Sequence, residues 1–425
     1  MRVLFTVFAS KAHLFNLVTL GWALRAQGHE VCIASHPDLT ETITRTGLTA
    51  VTVGDRLDMG GTAQAKGSSN QEVLSRGLSS SYEEQRAGGW DHVLAEFTLA
   101  CGVRYEYLAD QKFTDDLVAF CDVWRPDLVI WDALTFSGAI AARSCGAAHA
   151  RMLFGLDLIN RLYDDYRTFR AEQPPELRDD PLGDWFTGRL DRIGQTYRPE
   201  LERELVAGQW TIDPMPPWMR LPNELTTVPV RYVPYNGPTG VPDWLSRPPE
   251  RPRICLTLGL SMREDVGEST VSVTDLLGGF DGLDVEVIAT LNADQVGSAA
   301  VPDNVTLVDF VPLNDLLPSC AGIVHQAGLG THSNALVHGV PDIIVPDPFW
   351  DELERGLLAE KRGSGIVVPP GELTPERLRD AVVRIVEEPS YRETAREVRR
   401  ELMEVPSPRD VVPVLEELTA RHRRA

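Results

Sequence analysis

Short apolar runs alternate with segments of helical period along this chain, and the alternation happens twice, with a proline-dense stretch in between. The run RVLFTVF is of strand length. After the turn ASKAH comes LFNLVTLGWALRAQ, whose Leu14, Leu17, Val18, Gly21, Trp22 and Leu24 share one helical face, and Gly28 closes that helix before the strand EVCIAS. A β-α-β opening predicts a parallel, doubly wound α/β sheet with its ligand crevice at the carboxyl ends of the strands. Eleven prolines fall between Pro214 and Pro252, a density that neither a helix nor a central strand accepts. Beyond them RICLTLGL restarts the alternation, with VEVIATL, VTLVDFV, GIVHQ, DIIVP and GIVVP as later strands. The predicted organisation is an N-terminal Rossmann-like domain over 1–235, a linker over 236–250 and a C-terminal Rossmann-like domain over 251–406. A last helix, 407–425, is capped by Ser407-Pro408 and can pack back on the first domain.

Within the second series, GIVHQAGLGTHSNALVHGVPDIIVP holds a strand ending at His325, a turn with Gly328 and Gly330, and a helix over 332–338 that Gly339 terminates. Thr331 is expected at the helix N-cap. A strand, a glycine turn and a helix N-terminus together gather backbone N–H groups and the positive end of the helix dipole at one point, which suits a phosphate. Turns of this kind also occur as plain structure; the His325 imidazole and the Thr331 hydroxyl, both able to bond a phosphate without a metal, favour the anion site. Gly259, Ser261 and Arg263 follow the first strand of the same series and can reach the same phosphates. Trp350, Asp351 and Glu352 follow DIIVP, where carboxylates can accept hydrogen bonds from sugar hydroxyls or simply begin a helix. With no Asp-x-Asp pair of the metal-diphosphate type in the chain, no metal and no cofactor is expected.

In the first series, DLVIW ends in Asp132 and leads into the helical TFSGAIAARS. If its strand lies beside the first one, Asp132 and His13 emerge at the same edge. A carboxylate on one imidazole nitrogen fixes the tautomer and leaves the other nitrogen as a general base. A polar cap at His13 and an acidic cap at Asp132 remain open from spacing alone. Aromatic residues scattered through loop-like sequence, among them Tyr82, Trp90, Phe97, Tyr105, Tyr107, Phe136, Phe154, Tyr163, Tyr166 and Phe169, could together line a wide apolar pocket.

A formal net charge of −21 disfavours nucleic acid and anionic membranes as partners, so an anionic ligand has to be caught locally. Six cysteines without a C-x-x-C pair suggest free thiols in a reducing compartment, and the amino end reads as a strand and not as a cleavable leader. The expected location is the cytoplasm.

Motifs spread from end to end (MRVLFTVFASKAHLFNLV, WRPDLVIWDALTF, VAGQWTID, RYVPYNGP, CLTLGLSMRE, VPDNVTLVDFVPLNDLLPSCA and VHQAGLGTHSNALVHGVP) make the chain resemble the family 1 glycosyltransferases of the GT-B fold. Within that family it is similar to the deoxysugar transferases that decorate macrolide and anthracycline antibiotics. The resemblance implies two Rossmann-like doubly wound domains facing a central cleft. It also implies an inverting transfer of a deoxysugar from a dTDP-sugar to a hydroxyl of a polyketide aglycone. His13 then matches the catalytic base and Asp132 its partner. His325, Gly328, Gly330 and Thr331 match the donor-phosphate motif, Val311 the segment whose backbone meets the nucleobase, and Asp351 a sugar-hydroxyl contact. Trp90, Phe136 and Phe154 stand for the acceptor pocket. Members often need a cytochrome-P450-like auxiliary protein that has lost its haem, which is the implied partner, and a second copy of the chain is a further candidate.

Where similar proteins carry His-His and two glycines, this chain has His325-Gln326 and Ala327-Gly328, and Leu357 stands where a glutamine is common. A methyl group at Ala327 matters if that position needs a positive φ. Two other readings stay open: a sugar-nucleotide epimerase on the same fold, and a non-catalytic sugar-nucleotide-binding partner protein.

Overall fold

In the computed structural model, residues 1–57, 87–259, 271–347 and 350–423 are described. The chain divides into two compact units, Met1–Arg231 with Pro406–Ala425, and Tyr232–Val405.

The first unit is built on a seven-stranded, wholly parallel sheet in the order β3-β2-β1-β4-β5-β6-β7. Its strands are β1 (Arg2–Thr6), β2 (Glu30–Ser35), β3 (Thr49–Thr52), β4 (Leu128–Asp132), β5 (Ala148–Met152), β6 (Trp210–Asp213) and β7 (Thr227–Pro229). Every residue of β4 and β5 is buried, as expected for central parallel strands with helices on both faces. Helix α1 (Lys11–Ala26) links β1 to β2 and buries Leu14, Leu17, Val18, Gly21 and Leu24. Trp22, placed on the same face by periodicity, is instead 40% exposed, and its indole N–H donates to Thr46 O at 2.9 Å. Helix α2 (Gln111–Trp124) and helix α3 (Ser137–Cys145) pack with Leu4, Val129 and Ala142 in one apolar cluster. Gly138 lets α3 approach the sheet: a Cβ there would lie 2.4 Å from Trp131 Cβ and 2.6 Å from Thr6 Cγ2. Helix α4 (Leu158–Glu172) is capped by Asp157, which accepts the Asn160 N–H.

The second unit holds a six-stranded parallel sheet in the order β10-β9-β8-β11-β12-β13, formed by β8 (Arg253–Thr257), β9 (Glu286–Thr290), β10 (Val305–Leu307), β11 (Cys320–His325), β12 (Asp342–Ile344) and β13 (Gly365–Val367). Helix α5 (Leu329–His338) joins β11 to β12, and helix α6 (Glu352–Arg362) joins β12 to β13. Each stretch that alternation marked as a strand after the proline-dense region forms one. The central β8 is buried along its whole length, and Ile254, Leu256, Val287, Val324 and Ile343 share one core.

The last helix, α7 (Pro408–His422), opens with a capping box in which Ser407 and Asp410 bond each other's backbone N–H, and it lies against the first unit. Gln27 Nε2 donates to Arg409 O at 3.0 Å, His29 Nε2 stands 3.1 Å from Glu416 Oε1, and the His422 ring packs on Trp210. No helix of the described residues is long and apolar enough to cross a membrane.

Candidate functional site

Strand register decides what meets at the carboxyl edge of the first sheet. β1 and β4 are neighbours, with Thr6 paired to Trp131, so the residue that ends β4 and the helix that follows β1 come out side by side. His13 is the third residue of α1 and Asp132 the last of β4. Their side chains meet at 2.7 Å, His13 Nδ1 to Asp132 Oδ2. The other carboxylate oxygen, Oδ1, accepts the Leu134 N–H at 3.0 Å, so both oxygens have fixed work and the carboxylate cannot rotate freely. An acceptor at Nδ1 requires the proton there and leaves the Nε2 lone pair as the base. The ring is held between Phe8 and Phe154, at centroid distances of 4.6 and 4.5 Å. Asn16, one turn further along α1, donates to Leu153 O at 2.8 Å and ties the helix to the loop that carries Phe154. Asp132 is 1% exposed and the His13 side chain 16%, so the imidazole stays partly accessible while its partner does not.

The aromatic residues separate into two groups. Phe154 touches the histidine. Phe136 does not serve as a pocket wall: it is 2% exposed, and its ring packs on Tyr105, Trp131, Trp185 and Phe186, so it belongs to the core under α3. Trp90 stacks on Tyr166 at 5.7 Å in the layer of helices. Tyr163 and Tyr166 are fully buried and donate to Glu202 and Asp180, so they too are framework. Tyr82 lies outside the described residues.

In the second unit the chain leaves β11 through Gln326, Ala327 and Gly328 and enters α5 at Leu329. Gly328 is the N-cap, with no side chain capping the first turn, and no acid stands in that turn. Thr331 is therefore not the cap expected from the sequence; it is the third residue of the helix, because Leu329 and Gly330 already take helical geometry. The first N–H groups of a helix have no acceptor within it, and here they belong to Leu329, Gly330 and Thr331, none of which is buried. Ala327 has φ +70°, a left-handed conformation that costs a residue with a Cβ roughly 1–2 kcal/mol. Gly259, at φ +76°, follows β8 by two residues, and a Cβ there would stand 3.9 Å from Thr331 Oγ1, so these two predicted donor contacts adjoin. Ser261 and Arg263 lie outside the described residues.

His325 departs from its expected part. Its ring is buried; Nδ1 accepts the Ala327 N–H at 2.9 Å, and Nε2 stands 3.4 Å from Asp342 Oδ1. Only 1% exposed at the end of β11, it braces the turn from within. Gln326, the residue after β11, is buried too and donates to Asp347 at 3.0 Å. Val311 is a core residue beside Leu316 and Ile323, which leaves only its backbone for a base. Asp351 is buried and receives Arg355 Nη2 at 2.8 Å, while Trp350 has φ +55°. Glu352 opens α6, and its Oε1 lies 3.8 Å from the point where a Gly328 Cβ would stand. Burial, with Asp351 and Asp347 beside it, pushes the Glu352 carboxyl well above the usual range against the pull of Arg355. Two neighbours of the turn lie within quoted motifs but were not singled out by the sequence: Tyr232, whose hydroxyl is 3.7 Å from the Cβ position of Gly330, and Asn334, which donates to Gly330 O at 2.7 Å. Among the described residues no group of three or more His, Cys, Asp or Glu could hold a metal.

Comparison with known proteins places the whole chain beside one family. Residues 22–259 match the family model described as erythromycin biosynthesis protein CIII-like, N-terminal domain, and residues 274–418 match its C-terminal domain. The aclacinomycin-T 2-deoxy-L-fucose transferase of Streptomyces galilaeus is 46% identical over 432 residues, covering all of this chain and 97% of the relative. The 3-alpha-mycarosylerythronolide B desosaminyl transferase of Saccharopolyspora erythraea is 44% identical over 425 residues, with 100% and 99% covered. Among solved structures, the glycosyltransferase VinC in complex with dTDP superposes with a TM-score of 0.88 at 42% identity, covering 99% of this chain and 100% of that one.

Proposed function

The chain belongs to the erythromycin biosynthesis protein CIII-like family, and from that premise we propose that it is a glycosyltransferase moving a deoxysugar from a dTDP-sugar to a hydroxyl of a macrolide or anthracycline aglycone, with inversion at the anomeric carbon. The observation that carries the mechanism is the 2.7 Å pair of His13 and Asp132. His13 Nε2 takes the acceptor hydroxyl's proton as the oxygen bonds to the anomeric carbon and the bond from that carbon to the diphosphate breaks. Asp132 balances the imidazolium that forms. The leaving dTDP carries the developing negative charge, which the uncapped first turn of α5 is suited to meet, with Gly259, Thr331 and Glu352 around it. A general base typically contributes about 10²–10⁴-fold. No cofactor enters this displacement.

The proposal includes a haem-less cytochrome-P450-like auxiliary partner, and it places the reaction in the cytoplasm, where six unpaired cysteines stay reduced. The test is incubation of the purified protein, alone and with a candidate partner, with dTDP-deoxysugars and polyketide lactones, followed by mass analysis of products. A new glycoside that disappears in His13→Ala, with dTDP affinity by calorimetry retained, is the expected result. An isomerised sugar nucleotide would favour the epimerase reading. Donor binding without product under every condition would favour the non-catalytic one.

A further inference from the structure

Beneath the glycine turn sits a carboxylate that neither the fold nor the proposed chemistry requires. Asp342 opens β12, between β11 and the edge strand β13 of the second sheet, fully buried, in a run that is otherwise apolar. Its two oxygens face two imidazoles: Oδ1 lies 3.4 Å from His325 Nε2 and Oδ2 lies 3.5 Å from His332 Nε2. A buried acid costs folding free energy that an apolar residue of similar volume would spare, so its presence in a core asks for a reason. Burial raises the Asp342 carboxyl, with His325 opposing, and it holds the His332 ring well below an ordinary histidine, with His325 and Arg355 adding to the effect.

The reason lies one bond further on. Because the Ala327 N–H donates to His325 Nδ1 at 2.9 Å, that nitrogen carries no proton, and a neutral ring must then carry it on Nε2, facing Asp342. A carboxylate at Nε2 favours this tautomer over the other, in which two N–H groups would oppose each other at Ala327. Ala327 holds φ +70° immediately before the N-cap Gly328, so the aim of the first N–H groups of α5 depends on a backbone state that an alanine resists. We propose that Asp342 is a positioning residue for the donor turn: through His325 it fixes the imidazole that clamps Ala327, and His332, from within α5, steadies its second oxygen. This rests on the reading of the turn as the dTDP-binding element. It also assigns His325 work without any contact to the phosphate, and it explains how the turn tolerates a methyl group where glycine is usual.

The experiment uses the full-length protein. Titration with dTDP by calorimetry should show an affinity about tenfold weaker in Asp342→Leu, and the added substitution Ala327→Gly, which adopts the left-handed state unaided, should restore it to within about threefold. Loss of dTDP affinity that Ala327→Gly fails to recover, or affinity equal to the parent in Asp342→Leu, overturns the proposal. Should Asp342→Leu not fold, His325→Asn, whose side-chain oxygen can stand in for Nδ1, should bind dTDP much as the parent does. His325→Gln, which reaches toward Asp342 instead, should bind more weakly, and the reverse order overturns the proposal. Nitrogen-15 spectra of histidine-labelled parent protein should show His325 protonated on Nε2; a proton on Nδ1 refutes the clamp whether or not dTDP binds. A parent protein with no affinity for dTDP would sink the donor-site reading, a result that the spectra keep distinct.

Discussion

Asp132→Asn is the most exacting perturbation of the proposed base. The native carboxylate accepts twice, from His13 Nδ1–H at 2.7 Å and from the Leu134 N–H at 3.0 Å. An asparagine has one oxygen and one NH2 for these two places. The Leu134 backbone is fixed as a donor, whereas imidazole can change tautomer, so the amide oxygen stays with Leu134 and the NH2 turns to His13. Nδ1 must then accept, the proton moves to Nε2, and the nitrogen that should take the acceptor's proton already holds one. In the serine-protease triad the same exchange costs about 10⁴-fold in kcat. Allowing for His13 being less enclosed here, about 10³–10⁴-fold is expected, or about 4–5.5 kcal/mol of transition-state stabilisation. Asp132→Ala should be milder, since it removes the orienting acceptor without imposing the wrong tautomer. Both variants would be assayed for single-turnover glycoside formation with saturating donor, and for dTDP affinity and thermal midpoint as controls. If Asp132→Asn keeps a tenth of the parent's rate, or if the alanine variant is the worse of the two while equally folded, the tautomer argument fails.

Three further outcomes follow from the same geometry. Phe136→Ala should cost about 3–5 kcal/mol in denaturant unfolding of the first unit, while Phe154→Ala should leave stability nearly intact and raise the KM for the aglycone, because one ring is core and the other stands on His13. Ala327→Gly should stabilise the protein by about 1 kcal/mol, read as a higher thermal midpoint, since it relieves a left-handed residue at a modest entropic cost. Burial pushes the Asp213 carboxyl up to about 6 from an ordinary 3.8, so the folded state favours the protonated form and the cost of ionisation grows as pH rises from about 4 to 6. Asp213→Asn should therefore gain on the parent across that window, by up to about 3 kcal/mol above pH 6, and an advantage that instead shrinks with rising pH would contradict the assignment.

Alternation made the two sheets legible because parallel strands buried on both faces read as unbroken apolar runs, and the register of β1 against β4 then brought His13 and Asp132 to one edge. The turn after β11 was legible as a kind of structure, and not in its details. Glycines at 328 and 330 suggested a longer turn, yet Gly328 caps and Leu329 already begins α5. For His325 the motif pointed toward a ligand, while the fold buries its ring between Asp342 and the Ala327 N–H, and Gln326, just past the strand, is buried as well and bonds Asp347. Phe136 shows a related limit: a lone aromatic in an apolar context carries no mark of which side it faces. Asp342 left one trace, an acid opening the run DIIVP, and only the pairing of β11 with β12 reveals what it stands against.

Since α7 completes the first unit from the far end of the chain, that unit is sewn shut last. A ribosome must deliver the chain through residue 416 before Gln27 and His29 meet their partners on Arg409 and Glu416. Anyone exchanging the first unit between relatives therefore needs two crossovers, one near residue 231 and a second near 406, so that the closing helix travels with the sheet it seals.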